Sequence, residues 1–293
     1  MNIKLIGAAI DSCAGIAGAA DTPGMLNSLL NNTLLHDASL HNNDLQINQI
    51  ITYSDGRNNV PLLKDYFTDL ATAVKEALES ESFPLVIGGD HSCAIGTWSG
   101  VSGFLAEKNQ TLGLIWIDAH MDAHTPQTSH SGNIHGMPLA TLLGYGFNEF
   151  LNIINSNPKL KPENVILIGI RSYEEEEATL LNSLGVKVYY NHDVTKLGFS
   201  RVFNDAWQDL SAKVDKIGLS IDVDGFDPEF APGVGTAVPN GLNFNQFMDA
   251  YTKIDANKLL AVEIAETNPL LDEQNKTLNC VLNIVKATQE LRL

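Results

Sequence analysis

Short apolar runs alternate with amphipathic stretches along most of the chain. The runs are rich in Val, Ile and Leu and lack polar alternation, over residues 3–10, 84–87, 112–117, 165–170, 186–190, 217–221 and 259–264. Strands buried on both faces have this pattern, which is typical of parallel sheets. Apolar residues recur at helical spacing over residues 61–80, 174–184, 203–214 and 278–291. The alternation predicts an α/β fold with a mainly parallel sheet and helices on both faces.

Composition is consistent with this picture. The chain has 293 residues, of which 44% are hydrophobic and 18% charged, so it can bury a sizeable core. No repeat, low-complexity tract or linker interrupts the pattern, and we expect a single domain over residues 1–293. The polar, Asn-rich residues 31–44 are expected at the surface.

Charge and cysteine content narrow the class of protein. A net charge of -17 argues against nucleic acid or an anionic membrane as partner and favours a soluble enzyme. The three cysteines, Cys13, Cys93 and Cys280, are far apart, which predicts no disulfide framework and fits a reducing cytoplasm. No apolar run is long enough to span a membrane, and residues 1–10 are interpreted as a first strand rather than a signal peptide.

Unusual polar residues follow several of the predicted strands. Gly88-Gly89-Asp90-His91 follows one run, Asp118 to Asp122 follows the next, and Asp222 to Asp227 follows another. Glu263 and Glu266 lie at the end of the last run. Because ligand sites of parallel sheets gather at the carboxyl ends of strands, these residues are predicted to share one edge.

The segment Asp118-Ala119-His120-Met121-Asp122 is the strongest chemical signal. In an extended chain, alternate residues point the same way, so Asp118, His120 and Asp122 are predicted to converge. The structural alternative is a polar strand end with capping aspartates. Five of the eight histidines lie between residues 91 and 135, a clustering that metal binding commonly causes.

Two further segments supply ligand-type residues. Asp222 and Asp224 flank Val223, and like charges so close need cations when they are buried. His91 lies at a tight turn, where a capping or core histidine is the alternative. Two imidazoles and four carboxylates favour manganese, with iron, cobalt or nickel as substitutes. Six ligands are too many for one ion that also binds substrate, so we predict a pair of ions.

Five motifs occur in order along nearly the whole chain: GGDHS at 88–92, DAHMDAH at 118–124, SGNIHG at 131–136, SIDVDGFDP at 220–228 and EIAETNP at 263–269. In this combination the sequence resembles the ureohydrolases, a family that includes arginases, agmatinases and formiminoglutamases, and is most similar to arginases. The resemblance implies a three-layer α/β/α domain with about eight parallel strands. It also implies a homotrimer or homohexamer.

The resemblance further implies a ligand set and a reaction. One of two manganese ions per subunit would be held by His91, Asp118, Asp122 and Asp222, and the other by Asp118, His120, Asp222 and Asp224. The ions activate a water that attacks the guanidinium carbon of the substrate, releasing urea and an amine. Asp122 would be the general acid, Glu266 would pair with the guanidinium, and His135 would shuttle protons with a near-neutral pKa. A loop histidine is the alternative for His135.

The far end of the substrate is less well determined. By the resemblance, the substrate-binding residues would be His124, Ser129, Ser131, Asn133, Glu174, Glu177 and Thr236. His124 stands where arginases usually have Asn, and Glu174 where they usually have Asp. For Glu174 and Glu177 the alternative is a solvated first helical turn, which the helix dipole favours.

These residues favour hydrolysis of L-arginine to L-ornithine and urea. Agmatine or a guanidino acid remains open as substrate, and formiminoglutamate is less favoured because the SGN loop is unlike that branch. A non-catalytic metal-binding relative is a second hypothesis, although the six ligand-type residues argue against it. A deacetylase-like amide hydrolase is a third, but it would need one zinc and fewer ligands.

Overall fold

The computed structural model describes residues 2–34, 46–53, 58–156 and 158–292. The strands in these residues are β1 (Ile3–Ala9), β2 (Ile47–Thr52), β3 (Phe83–Gly88), β4 (Leu112–Ile117), β5 (Val165–Ile170), β6 (Lys187–Tyr190), β7 (Lys216–Asp222) and β8 (Leu259–Ala265). The α-helices are α1 (Thr22–Leu34), α2 (Val60–Glu79), α3 (Ala94–Glu107), α4 (Pro138–Leu142), α5 (Asn148–Leu151), α6 (Glu175–Leu184), α7 (Asn191–Leu197), α8 (Phe199–Lys213), α9 (Phe244–Tyr251) and α10 (Lys276–Arg292). Short 3-10 helices lie at Ala19–Asp21, His91–Cys93, Ile134–Gly136, Pro162–Asn164 and Val223–Gly225.

The strands form one sheet in the order β2-β1-β3-β8-β7-β4-β5-β6. Every pairing between neighbours is parallel. The last strand, β8, lies in the middle of the sheet between β3 and β7. The eight-stranded parallel sheet confirms the predicted fold class and places all strand carboxyl ends at one edge.

Two apolar clusters cover the two faces of the sheet. Phe67 of α2 and Trp98 of α3 pack with Val86 on one face. On the other face, Phe203 of α8 packs with Leu85 of the same strand. Successive residues of β3 therefore enter different cores, which explains why its apolar run shows no polar alternation. The result is a three-layer α/β/α arrangement.

The apolar pattern did not predict β2 or α3. The edge strand β2 is mostly exposed, so it has no continuous apolar run. Helix α3 is buried almost all round and has no amphipathic period. A Cβ on Gly100 would lie 2.3 Å from the carbonyl oxygen of Ala71, so glycine is what allows α3 to lie so close to α2.

Other expectations have mixed outcomes. All three cysteines are buried as free thiols, as the absence of a disulfide framework predicted. None of the described helices combines the length and apolarity needed to cross a bilayer. Most of the predicted surface segment 31–44 lies outside the described residues.

Candidate metal centre

Three strand ends bring the ligand-type residues together. His91 begins the 3-10 helix after β3, where the side chain of Asp90 accepts a hydrogen bond from the amide of Ser92. Asp118 follows β4 directly, and Asp222 is the last residue of β7. Because these strands are parallel and close in the sheet, residues far apart in sequence meet at one edge, as predicted.

The ring of His91 lies among three carboxylates. Its Nδ1 atom is 3.3 Å from Oδ2 of Asp118 and 3.1 Å from Oδ2 of both Asp122 and Asp222. All four residues are buried, and their ligand atoms lie within 4.8 Å of one another. They form the first candidate ion site.

The donor set of this first site fits a metal ion. Nδ1 of His91 is buried and has no hydrogen-bond partner among the described residues, which is costly unless a cation satisfies its lone pair. Two ligand atoms about 2.1 Å from one ion, at right angles, lie about 3.0 Å apart. The separations of 3.1–3.3 Å around His91 are close to that value.

A second candidate ion site consists of Asp118, His120 and Asp224. Nδ1 of His120 is 3.1 Å from Oδ2 of Asp224 and 3.5 Å from Oδ1 of Asp118. Asp118 thus contributes to both sites. Asp222 lies beside the second site, where its Oδ1 accepts the amide hydrogen of Asp224 at 2.8 Å.

The local backbone differs from the extended chain that the alternating pattern suggested. The chain bends at residues 119–120, and Asp122 has a left-handed φ of 49°. As a result His120 and Asp122 belong to different ion sites, with Asp118 between them. The segment therefore supplies two sites instead of one convergent face.

The contacts behind the ligands were not predicted from the sequence. Nε2 of His91 is 3.0 Å from Oγ of Ser220, whose hydroxyl donates to Glu263. Trp116 stacks on the His91 ring with centroids 4.2 Å apart and donates its indole N–H to Asp118 at 2.8 Å. Such contacts fix the orientation of ligands. Trp116 had no distinguishing signal, since it lies in an apolar strand.

Glu266 and His135 form a pair beside the first site. Oε1 of Glu266 is 3.0 Å from Nδ1 of His135 and accepts the amide hydrogen of His91 at 2.8 Å. Glu266 has a left-handed φ of 65°, a conformation that non-glycine residues adopt mainly where surrounding contacts impose it. Both side chains were predicted to act in the reaction, and the structure brings them together.

The carboxylates hold protons on the histidines of the centre. Burial disfavours the charged form of His91, but the three carboxylates close to its Nδ1 atom outweigh this and raise its pKa well above the ordinary value. Burial also disfavours the charged form of His120. The charges and hydrogen bonds of Asp224 and Asp118 outweigh burial, so the pKa of His120 is raised as well. Burial and the charge of Asp118 raise the pKa of Asp122 to about 6.

The pKa of His135 differs from the near-neutral value expected from the sequence. Burial acts to lower it, but the charge and hydrogen bond of Glu266 raise it to about 9. Burial acts to raise the pKa of Glu266, but His135 lowers it on balance. At neutral pH the pair is therefore an imidazolium beside a carboxylate.

A cavity of about 290 Å³ opens onto the two ion sites. Its walls contain twelve residues singled out from the sequence: His120, Asp122, His124, Ser129, Ser131, His135, Glu174, Glu177, Asp222, Asp224, Thr236 and Glu266. His130 and Ser172 also line it and were not predicted. Asn133 was predicted there, but it is not among the lining residues.

The far end of the cavity carries a hydrogen-bonded pair. Nε2 of His124 is 2.7 Å from Oε2 of Glu174, and 3.6 Å from Oε2 of Glu177. The distance of 2.7 Å is that of a direct charge-assisted hydrogen bond, shorter than the ligand separations around His91. The short distance is that of a hydrogen-bonded pair and not of two ligands spaced around a third ion.

The remaining predicted residues at this end mostly bond locally. Glu174 caps α6, and Glu177 accepts the amide hydrogens of Ala123 and Glu174 at 3.0 Å each. The hydroxyl of Ser129 accepts the amide hydrogen of Gly132, and that of Ser131 accepts the amide hydrogen of Asn133.

Thr236 is the remaining predicted residue of the cavity wall. Its hydroxyl donates to Oδ2 of Asp224 at 2.9 Å, so it touches an ion-site carboxylate directly.

Comparison with known proteins gives consistent matches. A model of the Arginase family matches residues 1–288. The arginase of Bacillus caldovelox is 46% identical over 209 residues, spanning 71% of this chain and 69% of the relative. Arginase from Bacillus subtilis has a TM-score of 0.85 at 34% identity, covering 98% of both chains. Entamoeba histolytica arginase, solved in complex with L-ornithine, has a TM-score of 0.85 at 28% identity, covering 99% of both chains.

Proposed function

The chain belongs to the arginase family, and on that premise we propose that it hydrolyses L-arginine to L-ornithine and urea at a pair of manganese ions. Family membership confirms the resemblance to ureohydrolases and makes the protein a hydrolase. The proposal rests chiefly on one observation. Four buried aspartates and two histidines form two adjoining ion sites that share Asp118 and open into a single cavity.

The two ends of the cavity support arginine as the substrate. Asp122 and Glu266 lie at the ion sites, where a guanidinium needs negative partners. At the other end, the His124–Glu174 pair offers a ring N–H donor and a carboxylate, which suit an α-carboxylate and an α-ammonium group. Agmatine has no carboxylate for His124 to bind.

The residues of the cavity can handle the charges and protons of this reaction. When bound, the two ions would supply a water ionised near neutral pH as nucleophile. Glu266 stays ionised because its pKa is lowered, so it can orient the guanidinium. Asp122 lies in the cavity wall at the ion sites, where its carboxylate can accept a proton and pass it to the leaving amine.

His135 would complete the proton path. With a pKa of about 9 it is protonated at neutral pH and acts first as a donor. It lies at the cavity wall, so it can exchange protons between the cavity and solvent.

Further parts of the proposal concern the metal and the assembly. Oxygen-rich ligation with two nitrogens supports manganese, with iron, cobalt or nickel as substitutes. We propose one domain over residues 1–293, supported by a single sheet with an apolar core on each face. A cytoplasmic homotrimer or homohexamer is proposed on the family resemblance.

The test is a substrate screen with manganese-loaded protein. Urea release from arginine, agmatine and guanidinobutyrate is measured, together with consumption of formiminoglutamate. We expect arginine to have the highest kcat/KM. Glu174→Gln should lower kcat/KM for arginine about 10-fold or more, because a charged hydrogen bond to the α-ammonium group is lost, and leave guanidinobutyrate hydrolysis unchanged, because that compound has no ammonium group. Metal-loaded protein that releases no urea from any guanidino compound would overturn the proposal.

A further inference from the structure

A single arginine behind the second ion site joins several segments of the centre. Arg171 follows β5, and its half-buried guanidinium donates to five backbone carbonyl oxygens. The acceptors belong to Gly169, Asp224, Gly225, Phe226 and Val238, at distances from 2.8 to 3.4 Å. Sequence analysis did not single out this residue.

The position of Asp224 in the fold explains why such an anchor matters. Asp222 is part of β7 and pairs in register with Ala265 of β8, so the sheet fixes it. Asp224 lies beyond the strand, in the 3-10 turn Val223–Gly225. Nη2 of Arg171 donates to the carbonyl of Asp224 at 2.8 Å, and Nη1 donates to the next carbonyl at 3.0 Å.

Arg171 also acts on the carboxylate of Asp224 through a second segment. Nη2 donates to the carbonyl of Val238 at 2.8 Å, two residues beyond Thr236. The hydroxyl of Thr236 donates to Oδ2 of Asp224. The guanidinium thus holds both the backbone that carries this ligand and the segment that orients its oxygen.

The backbone of Arg171 connects to the other ligands. Its amide donates to the carbonyl of Ala119 at 2.8 Å, next to His120. A Cβ on Gly225 would lie 3.0 Å from the backbone of Asp118, so the two ligand segments approach closely at this point. Every member of the second ion site therefore neighbours a segment that Arg171 contacts.

We propose that Arg171 is the positioning residue of the second ion site, holding Asp224 in register with Asp118 and His120. The inference rests on the proposed two-metal centre. It predicts that the planar arrangement of N–H donors on Arg171 is needed, and that its positive charge alone is not enough. A lysine keeps the charge but offers three N–H donors from one atom, which cannot satisfy carbonyls arranged around a planar fork.

The test uses Arg171→Lys, Arg171→Gln and a matched control, Arg292→Lys. Arg292 is also part-buried and donates to the backbone carbonyls of Ala256 and Leu259, but it lies at the opposite edge of the sheet. Manganese is added back to the metal-depleted full-length protein, and bound ions are counted by elemental analysis. Electron paramagnetic resonance then distinguishes coupled ion pairs from isolated ions.

The wild type and Arg292→Lys should each bind about two ions per subunit as coupled pairs. Both Arg171 variants should bind the second ion about 10- to 100-fold more weakly and show isolated-ion signals, as expected when a ligand loses its outer support. Coupled pairs of unchanged affinity in Arg171→Lys would overturn the inference while leaving the two-metal proposal intact. Failure of both Arg171 variants to fold, where Arg292→Lys folds, would also overturn it. Failure of the wild type to bind two ions would instead overturn the proposed function.

Discussion

Individual residues in this centre often satisfy two demands at once. Oε1 of Glu266 accepts from the amide of His91 and also pairs with His135, so a residue proposed to meet substrate also connects two chain segments. Asp118 contributes to both ion sites and accepts the indole hydrogen of Trp116. Substitutions at such positions change several contacts, so the choice of replacement decides what is learned.

Glu266→Gln isolates the electrostatic effect of Glu266 on His135. The side-chain carbonyl of the new Gln can still accept the backbone amide hydrogen of His91. The substitution removes the negative charge that holds the pKa of His135 near 9. We expect this pKa to fall towards about 6.5. The measurement is a pH titration of the His135 imidazole signals by NMR in metal-free protein.

The same substitution has a consequence for stability. A histidine with a raised folded pKa stabilises the fold fully below its unfolded pKa of about 6.5, and this contribution is lost as pH rises through about 9. The difference in unfolding free energy between wild type and variant should therefore shrink over that interval. The exposed His192 is an internal reference, because its signals should be the same in wild type and variant at each pH. A His135 titration that is the same in both proteins would contradict the assigned pairing.

At the scale of elements, the strand ends are joined by backbone hydrogen bonds. The amide of Gly89, after β3, donates to the carbonyl of Ala8 in β1 at 2.8 Å. The amide of Glu266, after β8, donates to the carbonyl of Gly89 at 2.7 Å. These bonds hold His91 and Glu266 at fixed positions relative to the sheet.

Gly89→Ala should disrupt this junction. A Cβ there would lie 1.8 Å from the carbonyl oxygen of Ile10, and backbone atoms cannot move aside cheaply. We expect the free energy of unfolding to fall by about 3 kcal/mol or more, measured by chemical denaturation. The matched control is Gly24→Ala in α1, where a Cβ meets nothing within 4 Å. This substitution should raise the free energy of unfolding by up to about 1 kcal/mol. Equal stability of Gly89→Ala and wild type would show that a Cβ at this position does not clash with Ile10.

The sequence predicts those features that are local in origin. The buried strands are marked by apolar runs, and the ligand residues by their chemical type at strand ends. The roles of Arg171, Ser220 and Glu263 could not be predicted, because each depends on partners more than 40 residues away. Strand β2 was missed for another reason, since an exposed edge strand has no apolar run.

For the whole molecule, the main energetic issue is the concentration of carboxylates at one sheet edge. The chain has a net charge of -17, and four aspartates of the centre are buried. Protons on His91, His120 and Asp122 offset part of this charge, as their raised pKa values indicate. Metal ions would have to displace these protons.

Metal binding should therefore stabilise the protein more at pH 8 than at pH 6. Between these pH values Asp122, whose pKa is raised to about 6, loses its proton and competes less with the metal. Manganese at about 100 times its Kd at pH 8 adds about 2.7 kcal/mol, or about 5 °C in Tm, and the same concentration should add less at pH 6. Calorimetry of chelator-treated and manganese-loaded protein at both pH values measures the gain. Calcium, which prefers all-oxygen sites, is the control and should give a smaller shift. An equal manganese gain at both pH values would rule out proton competition.

The central place of β8 also sets an order of events during synthesis. Among the described strands, β2-β1-β3 and β7-β4-β5-β6 pair with each other only through β8, which ends at Ala265. His91 belongs to the first group, while Asp118 and Asp222 belong to the second. A growing chain therefore carries two halves of a centre that cannot close until its last strand has emerged from the ribosome. Until then His91 is separated from Asp118, Asp122 and Asp222, so the first candidate ion site stays incomplete.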